Sequence, residues 1–141
     1  MKNLKRKYRG KCKLFLDLHG HSSQPNTFCY GPPHDVDSEN YFLSRLLPEL
    51  IAKKNSNFSL KQSSYSINPD KKFAARSMFF NSFNIPFTYT IETTFGVFKD
   101  KPAEVADFLQ IGADIAECSF DFLFFYYLKL KKDEVGEQFA E

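Results

Sequence analysis

The stretch from Phe15 to Gly31 constrains the fold most, because an apolar strand pattern there gives way to histidines and small polar residues. Residues Lys13 to Leu18 predict a buried strand, which ends on a His-Gly-His-Ser sequence at residues 19–22. We expect the glycine to let the backbone turn at this point. An imidazole held at the end of a core strand is a suitable metal ligand. The alternative is a histidine that makes only a structural hydrogen bond.

The second informative stretch is Phe87 to Thr94, in which the two faces of an extended chain differ in character. Its period of two, in β-branched and aromatic residues, predicts a strand. Glu92 then lies on the face opposite to the apolar residues, among threonine hydroxyls. A carboxylate in that position is ordinary if it faces solvent, and it is placed for proton transfer if it faces a cleft.

Together the two stretches resemble the core of the zinc metallocarboxypeptidases of the M14 type. Within this family they are most similar to the cytosolic carboxypeptidases, which remove glutamate residues from tubulin and other proteins. The matching residues are the run Asp17 to Ser22 with Asn26, Phe28, Tyr30 and Gly31, and then the run Tyr89 to Gly96. The resemblance implies an α/β fold with helices packed on a mixed β-sheet. It covers residues 13–130, which correspond to the C-terminal half of the catalytic domain.

The resemblance also assigns roles to individual residues. His19 matches the late zinc-binding histidine of the family, and Glu92 matches the carboxylate that acts as general base and then as general acid. Arg76 resembles the basic residue that binds the side chain of a terminal glutamate, and a surface arginine without this role is the alternative. His21 is interpreted as a neighbour of the metal ligand rather than a ligand. We expect its side chain to point away from His19 along an extended backbone.

The chain departs from the family in its metal ligands. In the family, zinc is also bound by the His and the Glu of a His-x-x-Glu motif. None of the three histidines of this chain, at positions 19, 21 and 34, begins such a motif. One of the three protein ligands for Zn²⁺ is therefore present. We expect the isolated chain to bind zinc weakly and to hydrolyse no peptide. A catalytically inactive module that binds acidic protein tails is the alternative function.

The cysteine content favours a cytoplasmic protein, and the charge is unevenly distributed along the chain. Residues 1–13 hold seven of the nineteen Lys and Arg residues and no acidic residue. Residues 1–12 are interpreted as a basic lead-in to the first strand, with a nucleic-acid-binding or membrane-binding arm as the alternative. Three cysteines, an odd number, fit reduced thiols. No apolar run reaches the ~20 residues of a transmembrane helix. We expect no nucleic acid or membrane as a partner, and the resemblance implies protein tails such as those of tubulin.

Helical periodicity predicts two further elements. Apolar residues spaced by three and four predict an amphipathic helix from Glu39 to Lys54, kinked or restarted at Pro48. A later helix is predicted to have Asp100 as its cap and Pro102 in its first turn, and to run to about Leu130. Residues 74–80 fit a strand or a short helix, and residues 131–141 are interpreted as a charged, frayed tail.

Overall fold

The computed structural model describes the backbone of residues 10–138 and the side chains of residues 10–133. Most of the predicted basic lead-in, residues 1–9, lies outside the described residues, as do residues 139–141. The strands and α-helices follow in the order β1 (Leu14–His21), β2 (Thr27–Tyr30), α1 (Glu39–Lys54), α2 (Ala75–Phe83), β3 (Phe87–Thr94), β4 (Val97–Phe98), β5 (Lys101–Pro102) and α3 (Val105–Gln138).

The central strand of the main sheet is β3, and the strand order is β1-β3-β2. It runs parallel to β1 and antiparallel to β2, so the sheet is mixed. On its outer side, β2 is bridged by the segment that contains Phe58 and Ser64. The predicted α/β architecture, a mixed sheet with packed helices, is confirmed.

The core lies on one face of this sheet, under α1 and α3. The alternation in β3 places Phe87, Tyr89 and Ile91 on that face, and each of them is at most 2% exposed. The opposite face is covered by α2 near the start of β1, where the Phe15 and Phe79 rings stack with their centroids 4.1 Å apart. The far end of the second face, toward the ends of β1 and β3, is where the predicted site residues lie.

The strand β1 differs from its prediction. It continues to His21 instead of ending at Leu18, and Gly20 lies inside it. Gly20 does not turn the backbone but leaves room for a neighbouring side chain. The Phe95 ring comes within 2.0 Å of the place where a Cβ of Gly20 would lie. The prediction of a buried strand is also wrong. In the described sheet β1 is at an edge, and Leu18 is 63% exposed.

The helix α1 continues through Pro48 without restarting. Proline has no N–H to donate to the carbonyl of Ser44, one turn earlier. The Tyr89 hydroxyl of β3 donates to that carbonyl instead, over 2.7 Å. The sheet therefore supplies the hydrogen bond that the helix itself cannot make.

The segment that fitted either a strand or a short helix forms α2. Its C-cap is Asn84, whose φ of 53° is in the left-handed region that ends many helices. The chain then turns into β3, and His34 Nε2 lies 2.7 Å from the Pro86 carbonyl oxygen in this turn. The third histidine of the sequence is thus used to hold the connection between α2 and β3.

The start of α3 corrects the predicted cap. Pro102 lies in the β4–β5 hairpin rather than in the first turn of the helix. The carboxylate of Asp107, not that of Asp100, accepts a hydrogen bond from the Glu104 N–H at 3.0 Å. The β4–β5 hairpin and its loop lie directly before the helix and show no helical periodicity. The sequence pattern therefore predicted a start of α3 that is too early.

The end of α3 lies at Gln138, beyond the predicted end near Leu130. The prediction of a frayed tail is therefore wrong for residues 131–138. Lys129 pairs with Glu39 of α1 and with Asp133 one turn later, which stabilises this part of the helix. Among the described residues, neither α3 nor a shorter helix has a long enough apolar stretch to cross a membrane.

All three cysteines are free. Cys29 and Cys118 are buried, and Cys12 is half-buried. Burial raises the pKa of the Cys29 thiol to about 11, although a hydrogen bond with Ser63 opposes the shift. Cys29 is therefore a neutral, protonated thiol at physiological pH, which makes it a packing residue rather than a nucleophile.

Candidate functional site

The two residues predicted to carry the chemistry, His19 and Glu92, are neighbours on adjacent strands. Because β1 and β3 are parallel and in register here, His19 pairs directly with Glu92. Paired residues of neighbouring strands project from the same face, and the strands are about 4.8 Å apart. One small molecule bound on this face can therefore contact both side chains. Their catalytic roles stay predictions.

The residues around this pair leave the Glu92 carboxylate free to contact a bound molecule. On its other side Glu92 pairs with Phe28 of β2, so an aromatic side chain borders it. The described part of the chain gives Glu92 no hydrogen bond and no ion pair. The His19 ring is held by Asp17, whose Oδ1 lies 3.0 Å from Nε2, and the His19 side chain is 52% exposed. The pair thus lies on an open surface at the end of the sheet.

His21 does not point away from His19, and this expectation was wrong. Residues two apart on a strand project from the same face, and both histidines belong to β1. The His21 ring packs edge-on against Phe28 with centroids 5.0 Å apart, and Nδ1 accepts a hydrogen bond from the Gln24 N–H at 3.3 Å. Its Nε2 is buried and has no hydrogen-bond partner among the described residues. His21 therefore shares the surface of the pair.

The described residues do not make up a zinc site. Across residues 10–133, no three His, Cys, Asp or Glu side chains are grouped so that they could hold a metal ion. One imidazole beside one carboxylate falls short of the three protein ligands of a catalytic zinc site. The resemblance to the M14 family implies a zinc cofactor, and the donor set of residues 10–133 does not fit that cofactor by itself.

Arg76 lies on α2, beside the end of β2 at Tyr30 and Gly31, whereas Glu92 pairs with Phe28 nearer the start of that strand. It is only 5% exposed, and its guanidinium donates to the Gly31 carbonyl at 2.6 Å and to the Ser66 carbonyl at 3.3 Å. Its Cζ is 5.8 Å from the centroid of the Tyr30 ring, and Tyr30 projects from the face that carries Glu92. No carboxylate pairs with it in the described region. Burial lowers the pKa of Arg76, the direction expected for a cation without a counter-charge.

Tyr65 is more buried than the sequence around it indicated. It lies in a polar segment, residues 55–72, where a surface position is the ordinary expectation. Instead its ring lies 2.5 Å from where a Cβ of Gly31 would be, and the Arg45 guanidinium lies 4.3 Å above the ring centroid. Burial raises the pKa of Tyr65. The signal that could have indicated this packing is Gly31 itself, since a glycine at the end of a strand often marks a close approach.

Comparisons with known proteins bear on the fold and on the resemblance, although no family model matches the chain. The chain is 26% identical over 146 residues to cytosolic carboxypeptidase 6 of Caenorhabditis elegans, covering 99% of this chain and 29% of that protein. It is 28% identical over 116 residues to cytosolic carboxypeptidase 2 of Macaca fascicularis, covering 77% of this chain and 14% of that protein. A solved metallo-carboxypeptidase from Burkholderia cenocepacia matches with a TM-score of 0.68 and 16% identity, over 86% of this chain and 33% of that chain.

The two kinds of comparison carry different information. The structural match, at 16% identity, shows the fold. The sequence matches are both to cytosolic carboxypeptidases, and the chain spans less than a third of the length of either relative. The resemblance that the His-Gly-His and Glu92 stretches indicated is confirmed. The chain is thus similar in sequence to the cytosolic carboxypeptidases and has the fold of a metallo-carboxypeptidase.

Proposed function

We propose that this chain forms part of the active site of a metallocarboxypeptidase, a hydrolase that removes C-terminal residues from proteins. The observation that carries the proposal is the register of the sheet, which pairs His19 with Glu92 on one open face. In this proposal His19 is a metal ligand and Glu92 is the catalytic carboxylate. His21 stabilises the surface beside them without binding the metal.

The chemistry assigned to Glu92 is proton transfer. A carboxylate that lies on an open face without a hydrogen-bond partner among the described residues can accept a proton from an attacking water. It can then deliver the same proton to the amine that leaves when the peptide bond breaks. The proton stays on one side chain between the two steps, which is why a single carboxylate suffices. The zinc expected from the relatives supplies an electrophile when bound, and its other ligands would come from outside the described residues.

The substrate proposed is a protein tail that ends in glutamate, such as a tubulin tail, in the cytoplasm. Arg76 supports this proposal because it is a buried cation without a carboxylate partner among the described residues. A buried unpaired charge is costly, and an anionic ligand would offset that cost. A planar guanidinium is also well shaped to bind a carboxylate, although two backbone carbonyls already accept hydrogen bonds from Arg76.

The proposal requires further residues, from a longer polypeptide or from a second chain. It is supported by the comparison lengths, since the chain corresponds to 29% of cytosolic carboxypeptidase 6 and to 33% of the solved metallo-carboxypeptidase. It is also supported by the absence, among the described residues, of a complete set of metal ligands.

A second candidate function is a catalytically inactive module that binds acidic protein tails. The same lack of a metal-binding group in residues 10–133 favours it. The two candidates differ in one respect: the inactive module would bind a glutamate-ended peptide without releasing its terminal residue, even when the rest of a carboxypeptidase is supplied.

A chimera separates the two candidates. In it this chain replaces the matching segment of cytosolic carboxypeptidase 6 of Caenorhabditis elegans. We expect the folded chimera to release glutamate from a peptide that ends in several glutamates, with the parent protein as the positive control. A folded chimera that binds the peptide and releases nothing would support the inactive module.

The role of Arg76 is tested in the same chimera with Arg76→Ala. If Arg76 binds the terminal side chain, kcat/KM for a peptide ending in glutamate should fall by roughly 10²-fold, the effect of losing a charge-assisted contact. The value for a peptide ending in leucine should fall much less. Equal loss on both peptides would show that Arg76 only holds the Gly31 and Ser66 carbonyls.

A further inference from the structure

The helix α3 has two apolar faces, and only one of them is buried. The buried face packs on the sheet through Ile111, Ile115, Cys118, Phe122 and Tyr126. The second face carries an exposed row that we call the aromatic seam, formed by Val105, Leu109, Ala113, Ala116, Phe120, Phe124 and Tyr127. The two outermost residues of its N-terminal half are more than 70% exposed, and so is Phe120. Nothing in residues 10–133 covers this seam.

The spacing of the seam is regular. Its members follow one another at intervals of four, four, three, four, four and three residues. At about 100° per residue these positions stay within roughly 100° of helix circumference. The row extends over about 33 Å at a rise of 1.5 Å per residue. It ends at Lys131, the next position in the pattern. A straight apolar row of this length suits contact with one other helix.

Gly112 is an independent indication of a close partner. It lies in the interior of α3, where glycine is unfavourable because of its backbone entropy. An added Cβ would meet nothing within 4 Å, so packing in the described chain does not explain it. It borders the seam beside Ala113 and Ala116. Small residues at this point allow the backbone of a neighbouring helix to approach closely.

The side-chain sizes along the seam point to a particular partner. Small and medium residues form its N-terminal half, and three aromatic residues form its C-terminal half. If a second copy of the same helix lies antiparallel, with the two-fold axis close to Ala116, each aromatic residue meets a smaller one. Phe120 then faces Ala113, Phe124 faces Leu109, and Tyr127 faces Val105. We propose that the aromatic seam is a dimerisation surface and that its occupant is the seam of a second copy of this chain.

The size and charge of the seam fit such a pair. With aromatic side chains of roughly 150–250 Å² each, the seam offers on the order of 700 Å² per copy, close to the ~800 Å² per partner of a specific interface. Glu117 borders the seam, and its carboxylate pairs with Lys54 of α1. This ion pair reduces the repulsion between the two Glu117 carboxylates that border the seams of an antiparallel pair. The proposal does not depend on the proposed catalytic function.

The first test measures the mass of the 141-residue chain by sedimentation equilibrium over a range of concentrations. We expect a monomer–dimer equilibrium. The double variant Phe120→Lys/Phe124→Lys should raise the dimer dissociation constant by at least ~100-fold, as expected for central aromatic contacts. The control is Phe125→Lys, which changes an aromatic residue that is 49% exposed on a different face of the helix. It should leave the dissociation constant unchanged.

The second test measures the orientation of the two helices in a Cys12→Ser background, so that only introduced thiols are accessible. A mixture of Val105→Cys and Tyr127→Cys chains should form mixed disulfide dimers on mild oxidation, whereas Tyr127→Cys alone should form few. The opposite pattern would overturn the antiparallel pairing. A chain that stays monomeric at every concentration, or that loses dimerisation equally with Phe125→Lys, would overturn the proposal and leave the seam to another segment or protein.

Discussion

The ring of Tyr65 lies against the backbone of Gly31, so the end of β2 depends on the absence of a single Cβ. The ring cannot move aside easily, because the Arg45 guanidinium lies 4.3 Å above it and the residue is half-buried. The carbonyl of Gly31 also accepts a hydrogen bond from Arg76 at 2.6 Å. Gly31 therefore positions both the Tyr65 ring and the buried guanidinium of Arg76 at the end of β2.

Gly31→Ala should lower the free energy of unfolding by about 1–3 kcal/mol, the usual cost of inserting a methyl group into a packed site. Urea unfolding of the two chains measures this difference. The control is Gly20→Ala, which meets the ring of Phe95 at 2.0 Å. Phe95 is 70% exposed and can rotate away, so this variant should change stability by less than about 0.5 kcal/mol. Equal losses in the two variants would contradict the account of Tyr65.

At the scale of elements, α1 and β3 depend on each other through one hydrogen bond. Pro48 deprives the Ser44 carbonyl of its helical donor, and Tyr89 replaces that donor from the sheet. Burial raises the pKa of Tyr89 well above its usual value, so its hydroxyl stays protonated and continues to donate. A helix with an internal proline is thus stabilised by the strand on which it packs.

Tyr89→Phe should cost about 1–3 kcal/mol of unfolding free energy, because it leaves a buried carbonyl without a donor. In a Pro48→Ala background the alanine N–H can bond to Ser44, and the same change should cost at least ~0.5 kcal/mol less. Tyr126→Phe is the control, since no hydrogen bond of its hydroxyl is found in the described region. Strict additivity of Tyr89→Phe and Pro48→Ala in urea unfolding would show that the two residues do not act on one carbonyl.

A strand or helix was predicted correctly where the same hydrophobic periodicity continued over several residues. The alternation of Phe87 to Thr94 predicted β3 and the face of Glu92, and the helical spacing predicted α1. The end of β1 could not be predicted in the same way. The sequence alone does not distinguish a glycine that leaves room for a ring, as Gly20 does for Phe95, from a glycine that turns the backbone. The start of α3 was missed because the hairpin before it consists of only two residues per strand.

The candidate site was located from the resemblance to the M14 family more than from hydrophobic periodicity. The motifs indicated His19 and Glu92, and the register of β1 and β3 then brought them together. The direction of His21 was predicted wrongly, because residues two apart on a strand project from the same face. Gly31 could have indicated a close approach, but that the approaching ring is Tyr65 could not be predicted, since the two residues are far apart in sequence and meet only through the loop that bridges β2.

At the scale of the whole molecule, the described part of the chain presents a face that carries the candidate site residues without a complete set of metal donors. We therefore expect the purified 141-residue chain to retain far less than stoichiometric zinc after dialysis, as measured by elemental analysis. His19→Ala should change that residual zinc little in the isolated chain, whereas in the chimera with cytosolic carboxypeptidase 6 it should remove most of the bound zinc. Stoichiometric zinc in the isolated chain would contradict this account, because the chain would then supply a complete donor set by itself.

The central claim is that the Glu92 carboxylate performs the proton transfers of peptide hydrolysis, and its most direct test is the turnover of the chimera with Glu92→Gln. The amide keeps the size of the side chain but cannot accept the proton, so kcat should fall by roughly 10²–10⁴-fold. The matched control Glu49→Gln changes an exposed carboxylate on α1 and should leave kcat unchanged. If the Glu92→Gln chimera releases glutamate as fast as the unaltered chimera, Glu92 is not the catalytic carboxylate and the account is wrong.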